Sequence, residues 1–254
     1  MSLHITAASR LNSVEEYYFS KKLKQIAALK ESGVPIINLG IGSPDLAPSA
    51  ETIAALTESA ANPSHHAYQG YQGIPALREA FASFYAKHYG VTINPASEIL
   101  PLIGSKEGIM HIAMAYLEAG DVTLIPNPGY PTYQAACSLA GATVQAYELT
   151  EANGWLPDLD ALEQQDLSKV KIMWVNYPHM PTGTNATIAT FEKLVAFGKK
   201  HQILIVNDNP YSFILNETPI SILQVAEAKD IALELNSLSK TFNMAGWRVG
   251  MVLG

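Results

Sequence analysis

The sequence predicts a three-layer α/β fold, αβα, with helices on both faces of a mainly parallel mixed sheet. From Ile99 onward, short aliphatic runs alternate with longer runs whose apolar residues recur at helical spacing. Such alternation requires crossover connections, which cover both faces of a parallel sheet. Of the 254 residues, 48% are hydrophobic and 15% are charged, which is enough apolar material for a large core.

The first elements are a helix and a short strand. Ser13 and Glu16 have the spacing of a capping box, and the apolar positions after them predict a helix that stops at Gly33. The apolar run 35–39 then predicts a strand. A connector rich in glycine and proline follows it, so the next helix has to begin beyond residue 48.

Two further helices precede the alternating region. Ser49 can cap a helix that extends through about residue 61. The next helix is predicted over residues 75–89, because Pro75 suits a first turn and Gly90 suits a C-terminal end.

The alternating region contains seven predicted strands and five predicted helices. The strands are 100–103, 122–125, 143–149, 171–176, 203–207, 231–235 and 249–253. The helices are 105–118, 130–139, 159–165, 187–201 and 222–228. Ligands bind at the carboxyl ends of strands in open α/β sheets, and the polar clusters of this sequence lie there.

Composition excludes several classes of partner. The formal net charge is −7 and there is no basic patch, so no nucleic acid is expected. The one cysteine, Cys137, excludes an internal disulfide and a cysteine-rich metal cluster, which fits a reducing compartment. No stretch reaches the roughly 18 apolar residues of a membrane span, and the N-terminus lacks an apolar signal segment. We therefore expect a cytoplasmic protein without a metal or a membrane partner.

Lys240 is the most informative residue. It lies in the run SLSK, between small hydroxyl residues, and Arg248 follows eight positions later. A pyridoxal phosphate (PLP) site requires an amine for a Schiff base and donors for a phosphate dianion, and this run supplies both. An isolated lysine is more often on a solvated loop, so this interpretation depends on other motifs.

Two clusters support an anion and an aromatic ring at the same edge of the sheet. Gly104 precedes a predicted helix whose free amides can bind a phosphate, although a simple cap and turn explains the same residues. Asp208 ends a predicted strand, where a carboxylate can pair with a protonated pyridine nitrogen, and Tyr211 follows it. Tyr130 can stack on a ring. Alone, each aromatic is more often a packed side chain.

Taken together and in order, GSKEG, PGYPTY, NYPHMPTG, DNPY, SLSK and Arg248 resemble the motifs of the PLP-dependent class I and II aminotransferases, the aspartate aminotransferase-like family of fold type I. The resemblance runs through essentially the whole chain. It implies that residues 1–48 contribute to a small domain and that residues 49–254 form the PLP-binding large domain. The implied cofactor is pyridoxal 5′-phosphate.

The resemblance also implies the roles of individual residues. Lys240 matches the Schiff-base lysine, Asp208 the partner of the pyridine nitrogen and Tyr211 the donor to the phenolic oxygen. Gly42 matches the glycine near the substrate carboxylate. Tyr68 matches a tyrosine that reaches the phosphate of the neighbouring subunit, which implies a homodimer with shared active sites. The other implied cofactor-binding residues are Gly104, Ser105, Lys106, Tyr130, Asn176, Ser237, Ser239 and Arg248.

The implied reaction is transfer of an amino group between an amino acid and a 2-oxo acid. Two alternatives stay open: a PLP-dependent β-eliminating carbon–sulfur lyase of the same fold, and a noncatalytic protein that retains the fold. The family usually has asparagine where this sequence has Met180, and a thioether cannot donate to the phenolic oxygen. His179 is either its substitute or a loop histidine.

The C-terminus is a second departure from the family pattern. Family members continue beyond the position of Arg248 into a small domain that carries an arginine for the substrate carboxylate. Here no arginine follows Arg248. We therefore expect the C-terminal small domain to be absent, and the 254-residue form to bind amino acids poorly.

Overall fold

The computed structural model describes residues 5–13, 18–39 and 42–254 and has a seven-stranded mixed sheet with helices on both faces, as predicted. The strands are β1 (Ile99–Leu102), β2 (Val122–Asn127), β3 (Thr143–Glu148), β4 (Val170–Val175), β5 (Leu204–Asp208), β6 (Ala232–Ser237) and β7 (Gly250–Leu253). The helices are α1 (Tyr18–Glu31), α2 (Ala50–Ala61), α3 (Pro75–Tyr89), α4 (Ser105–Tyr116), α5 (Pro131–Ala140), α6 (Leu159–Glu163), α7 (Ile188–His201) and α8 (Leu238–Thr241).

The strand order is β1-β7-β6-β5-β4-β2-β3, and only β7 runs against the others. The pairs β2–β3, β2–β4, β4–β5 and β5–β6 are all parallel. Because the strands other than β7 share one direction, their carboxyl ends lie at one edge of the sheet. That edge is where the polar clusters of the sequence are found.

Side chains of the central strands alternate between two apolar layers. Ile172 and Trp174 of β4 pack into the layer beneath α4 and α5, together with Val206 of β5. Met173 of β4 and Ile205 of β5 point to the opposite layer, which α3 and α7 cover. This alternation is the period-two pattern of strands, and burial on both faces explains their nearly continuous apolar sequences.

The helix boundaries follow the local signals in the sequence. The Ser49 side chain accepts a hydrogen bond from the Thr52 amide at 3.2 Å, which caps α2. Gly90 has φ of 65° and closes α3 in the left-handed conformation, as expected for a C-terminal glycine. Thr187 and Thr190 form a reciprocal capping box at the start of α7.

Two predictions for the secondary structure differ from the fold, and a third falls on residues that the structure does not describe. The predicted strand 35–39 is an exposed coil, since no described strand pairs with it and a strand requires backbone hydrogen bonds to a neighbour. The predicted helix 222–228 was wrong: it is two 3₁₀ turns, Ile222–Gln224 and Ala228–Asp230, linked by Glu227 at positive φ. The predicted capping box at Ser13 includes residues 14–16, which lie outside the described residues.

The N-terminal segment makes little contact with the core. No residue of α1 is buried, and Ile37 and Leu39 are almost fully exposed. Among the helices of the described ranges, none has the length and apolar character required to cross a membrane.

Candidate active site

The loops after β1, β2, β4, β5 and β6 meet at the carboxyl edge of the sheet, and most of the predicted site residues lie on them. Asp208 ends β5 and Ser237 ends the neighbouring strand β6. Gly104 follows β1, Tyr130 follows β2 and Asn176 follows β4. The topology therefore brings these five sequence-distant residues to one edge.

Asp208 is a buried carboxylate with one oxygen left unpaired. The Tyr133 hydroxyl donates to its Oδ2 at 3.0 Å, but no hydrogen-bond partner reaches the buried Oδ1. Burial raises the pKa of Asp208 to about 7, while the Tyr133 hydrogen bond opposes that rise and the charge of Glu234 adds to it. A buried acceptor without a donor is costly, so this position suits a ligand that brings an N–H or O–H group.

The loop after β4 is anchored to Asp208 by Asn176. The Asn176 side chain donates through Nδ2 to the Asp208 carbonyl at 2.6 Å and accepts at Oδ1 from the Met180 amide at 2.9 Å. Next to Met180, His179 is buried and its Nδ1 lies 2.8 Å from the Thr182 hydroxyl. Burial lowers the pKa of His179. The other ring nitrogen of His179, Nε2, is buried without a hydrogen-bond partner.

Gly104 and Arg248 form a cradle at the start of α4. Gly104 has φ of +99°, and a Cβ built on it would lie 2.2 Å from the Arg248 guanidinium. Arg248 itself is exposed and donates to the Ala245 carbonyl at 3.0 Å. The Ser105 hydroxyl, at the first position of α4, is buried and has no partner. A cation, an unpaired hydroxyl and free helix amides together suit a phosphate.

Aromatic residues extend from this cradle towards Asp208. The Lys106 ammonium lies 5.6 Å from the centroid of the Tyr130 ring. The Tyr130 ring meets the Tyr133 ring edge to face at 5.7 Å. Tyr133 stacks on Trp174 at 5.3 Å and bonds to Asp208. Tyr133 was not predicted to be a site residue, although it lies within the PGYPTY motif.

Lys240 lies on the short helix α8, next to the end of β6. The Ser237 side chain caps this helix by accepting from the Ser239 amide at 3.1 Å, and the two hydroxyls lie 2.9 Å apart. The Lys240 Nζ donates to the Gly42 carbonyl at 3.1 Å, so the two predicted residues are brought together. Burial lowers the pKa of Lys240, which increases the fraction of free amine.

Two predicted site residues, Tyr211 and Tyr68, take no part in the contacts described above. Tyr211 is partly buried in the turn after β5, where its carbonyl accepts from the Ile214 amide at 2.9 Å. Tyr68 is fully exposed on the surface of the chain. Its predicted role concerns a neighbouring subunit, and a single chain does not test that role.

The residues at this edge fit pyridoxal phosphate. The unpaired Oδ1 of Asp208 matches the need of a protonated ring nitrogen, and the unpaired Ser105 hydroxyl matches the need of a phosphate. The space that a side chain at residue 104 would fill is kept open by glycine. Lys240 supplies an amine whose pKa is lowered.

Comparison with known proteins gives a consistent family. The family model for aminotransferase class I and II matches residues 34–254. An LL-diaminopimelate aminotransferase of Dehalococcoides mccartyi is 43% identical over 249 residues, which are 97% of this chain and 64% of the relative. An enzyme of the same name from Aquifex aeolicus is 41% identical over 249 residues, with the same two coverages.

Solved structures agree with these relatives. Substrate-bound BacF from Bacillus subtilis superposes with a TM-score of 0.93 at 40% identity, and the match covers 99% of this chain and 64% of BacF. An aspartate aminotransferase from Thermus thermophilus with maleate gives a TM-score of 0.91 at 25% identity, covering 99% of this chain and 65% of that one. The chain thus spans 64% of the length of the curated relatives described above.

Proposed function

The chain belongs to the class I and II aminotransferase family, and from this we propose that it is a PLP-dependent aminotransferase. In this proposal it moves an amino group between an amino acid and a 2-oxo acid. When bound, pyridoxal phosphate supplies an aldehyde that captures amines and a ring that withdraws electrons. The protein supplies binding, orientation and proton transfer.

One observation carries the proposal: the buried Asp208 keeps Oδ1 without a partner. An acidic side chain in this setting holds a proton between itself and a ring nitrogen, and the paired charges keep the ring electron-poor. Tyr133 fixes the orientation of the carboxyl group through Oδ2. Asn176 holds the backbone of Asp208 in place by donating a hydrogen bond to its carbonyl.

Lys240 has two tasks in the proposed reaction. Its Nζ is partly buried and has a lowered pKa, so it is available as a free amine to hold the cofactor. Once the substrate amine has replaced it, the same Nζ is the base that takes the substrate α-proton. Tyr211 donates to the phenolic oxygen in this scheme, and Gly104, Ser105, Lys106, Ser237, Ser239 and Arg248 hold the phosphate.

The first amino donor to test is LL-diaminopimelate. Relatives at 41–43% identity carry the name LL-diaminopimelate aminotransferase. We extend the proposal to a cytoplasmic homodimer in which Tyr68 completes the partner's phosphate site and Gly42 lies beside the substrate carboxylate. Residues 1–48 would belong to a small domain and residues 49–254 to the large one, a division that the lack of buried residues in α1 supports.

The test is chemical trapping of the cofactor. The chain is incubated with pyridoxal phosphate, treated with borohydride to make the lysine–cofactor bond permanent, and digested for peptide mass mapping. We expect the label on Lys240 and its loss in Lys240→Ala. The exposed Lys106 is an internal control, because it lies near the same site. A label on Lys106 or on other lysines, with Lys240 unmodified, would overturn the proposal.

The reaction type needs a separate assay. Protein loaded with pyridoxal phosphate and not treated with borohydride is given LL-diaminopimelate, or an amino acid with a sulfur leaving group on its β-carbon, together with 2-oxoglutarate, and the products are separated. Appearance of glutamate supports amino transfer. Release of ammonia and a new 2-oxo acid, without glutamate, would instead assign the β-eliminating alternative.

A further inference from the structure

Glu234 is a fully buried carboxylate on β6 that the proposed reaction does not use. Its Oε1 accepts from the Tyr85 hydroxyl of α3 at 2.8 Å. Its Oε2 accepts from Asn207 Nδ2 on β5 at 2.9 Å and from the Ile222 amide at 3.1 Å. One side chain therefore joins a helix, two strands and a turn. Carboxyl groups are rarely fully buried unless hydrogen bonds or an opposite charge offset the cost of their burial.

The hydrogen bonds that reach Glu234 favour its ionised form. The Ile222 amide can only donate. Asn207 must present Nδ2 to Glu234, because its Oδ1 accepts from the Tyr177 amide at 3.1 Å. Tyr85 donates to Oε1 at 2.8 Å, while its oxygen accepts from Asn236 Nδ2 at 3.1 Å. These three donors stabilise the negative charge of the carboxylate.

The contacts of Glu234 continue in two directions. Through Tyr85 they reach Asn236, whose Oδ1 accepts from the Ser237 amide at 2.7 Å. Ser237 caps the helix of Lys240. Through Asn207 they reach Tyr177 at the start of the loop after β4. Asn207 is also the chain neighbour of Asp208, whose side chain points to the opposite face of the sheet.

No cation neutralises this buried charge among the described residues, since none of their ion pairs includes Glu234. The titratable groups that face it are Tyr85 and Tyr89 from α3 and Asp208 from β5. Burial raises the pKa of Glu234, and the hydrogen bonds from Asn207 and Tyr85 oppose that rise. The charge of Glu234 also adds to the raised pKa of Asp208.

We propose that Glu234 is a charged positioning residue that ties the lysine helix and the loop after β4 to α3 and places a negative charge on the strand beside Asp208. The proposal rests on the proposed function for the roles of Lys240 and Asp208. It assigns to Glu234 no contact with substrate or cofactor. Glu234 acts on the site in two ways. Its hydrogen bonds hold Tyr85 and Asn207 in position, and its negative charge changes the electrostatic potential at Asp208.

The charge is tested in the cofactor-free chain by the pH dependence of stability. Asp208 has a folded pKa near 7 and an ordinary unfolded pKa, so the folded chain binds the extra proton between those values. The free energy of unfolding of wild type, minus that of Asp208→Asn, should therefore fall as pH rises and become constant near pH 7. The pH at which this difference becomes constant is the levelling point. We expect Glu234→Gln to move that levelling point down by about half a unit or more.

Tyr85→Phe is the matched control, because it removes a hydrogen bond from the same carboxylate and leaves the charge. In the Tyr85→Phe background the levelling point stays where it is in wild type. Tyr85→Phe breaks the connection to the lysine helix, and Glu234→Gln sets an NH₂ group against the Asn207 Nδ2 and Ile222 N–H donors. Both variants should therefore weaken pyridoxal phosphate binding by about 5-fold or more. An unchanged levelling point in Glu234→Gln would overturn the proposal, as would wild-type affinity for the cofactor in both variants.

A second measurement covers the case in which Glu234→Gln does not fold. In ¹³C NMR titration of side-chain carboxyl groups of the wild-type chain, the Glu234 signal should report a carboxylate at pH 7, and a protonated carboxyl would overturn the proposal. Failure of the proposed function is recognised separately: wild-type chain would then lack a trapped label on Lys240, while the cofactor-free pH profiles would still report on Glu234.

Discussion

At the scale of the residue, Gly104 shows how the absence of a side chain makes room for a ligand. Its φ of +99° is a conformation that residues with a Cβ rarely adopt, and a Cβ there would lie 2.2 Å from Arg248 Nη2. The guanidinium can move aside in the free chain, because it is the end of a flexible side chain. It cannot move without leaving the proposed phosphate position.

We therefore expect Gly104→Ala to affect the cofactor more than the fold. The backbone strain should cost about 1–2 kcal/mol of unfolding free energy. Affinity for pyridoxal phosphate should fall by about 10-fold or more, because Arg248 is displaced. Gly246→Ala is the control, since no atom lies within 4 Å of a Cβ at that neighbouring glycine. Denaturant titration and cofactor titration measure the two effects, and equal affinities in both variants would contradict the prediction.

Met180 leads to a prediction about the bound cofactor. The family's usual asparagine donates to the phenolic oxygen of the ring, whereas a thioether cannot. Without that donor, the phenolate holds the neighbouring imine proton more firmly, which raises the pKa of the imine. The visible absorbance band reports this titration. Met180→Asn should thus shift the titration midpoint of that band to lower pH. Equal midpoints in the two proteins would refute this prediction.

At the scale of the element, the side-chain caps of α7 and α8 can be compared, because only α8 lies in the site. Ser237 caps α8, which carries Lys240, and Thr187 caps α7 on the far layer. Removing either cap by substitution with alanine should cost about 1 kcal/mol of unfolding free energy. Only Ser237→Ala should also weaken cofactor binding, by about 10-fold, because it loosens the lysine helix and removes a phosphate donor. Comparable affinities in the two variants would show that α8 does not depend on its cap.

Local signals made most elements predictable from sequence. Gly90 at the end of α3 and Ser49 at the start of α2 act through hydrogen bonds within a few residues, so their motifs suffice. The run 35–39 has strand composition, but strand formation depends on a distant partner that its own sequence cannot specify. The reversed direction of β7 is likewise a property of the whole sheet.

The site was predictable only in part, for the same reason. Lys240, Asp208 and Gly104 lie in motifs that share a strand-end position, and the fold brings those loops to one edge. Tyr133 and Glu234 were not identified, because their partners are far away in sequence: Asp208 lies 75 positions from Tyr133, and Tyr85 lies 149 positions from Glu234. Only the folded packing reveals such pairs.

At the scale of the whole molecule, the exposed Tyr68 is the residue that would join two chains. It lies between α2 and α3 with its ring fully exposed, so the ring is accessible to a second chain. In the proposed homodimer, each site combines Lys240 of one chain with Tyr68 of the other. A symmetric dimer would contain two such sites.

This arrangement predicts complementation between two defective chains. Lys240→Ala cannot hold the cofactor covalently, and Tyr68→Phe should hold it about 10-fold more weakly because one phosphate donor is lost. When the two are mixed and allowed to exchange subunits, a mixed dimer contains one site with both residues intact and one with neither. After random exchange about a quarter of all sites have both residues intact, so borohydride trapping at a limiting cofactor concentration should label Lys240 more than the average of the two variants measured separately. Tyr71→Phe, a nearby exposed tyrosine, is the control and should label like wild type without mixing. Labelling that stays at the average of the separate variants would show that Tyr68 acts within its own chain or not at all.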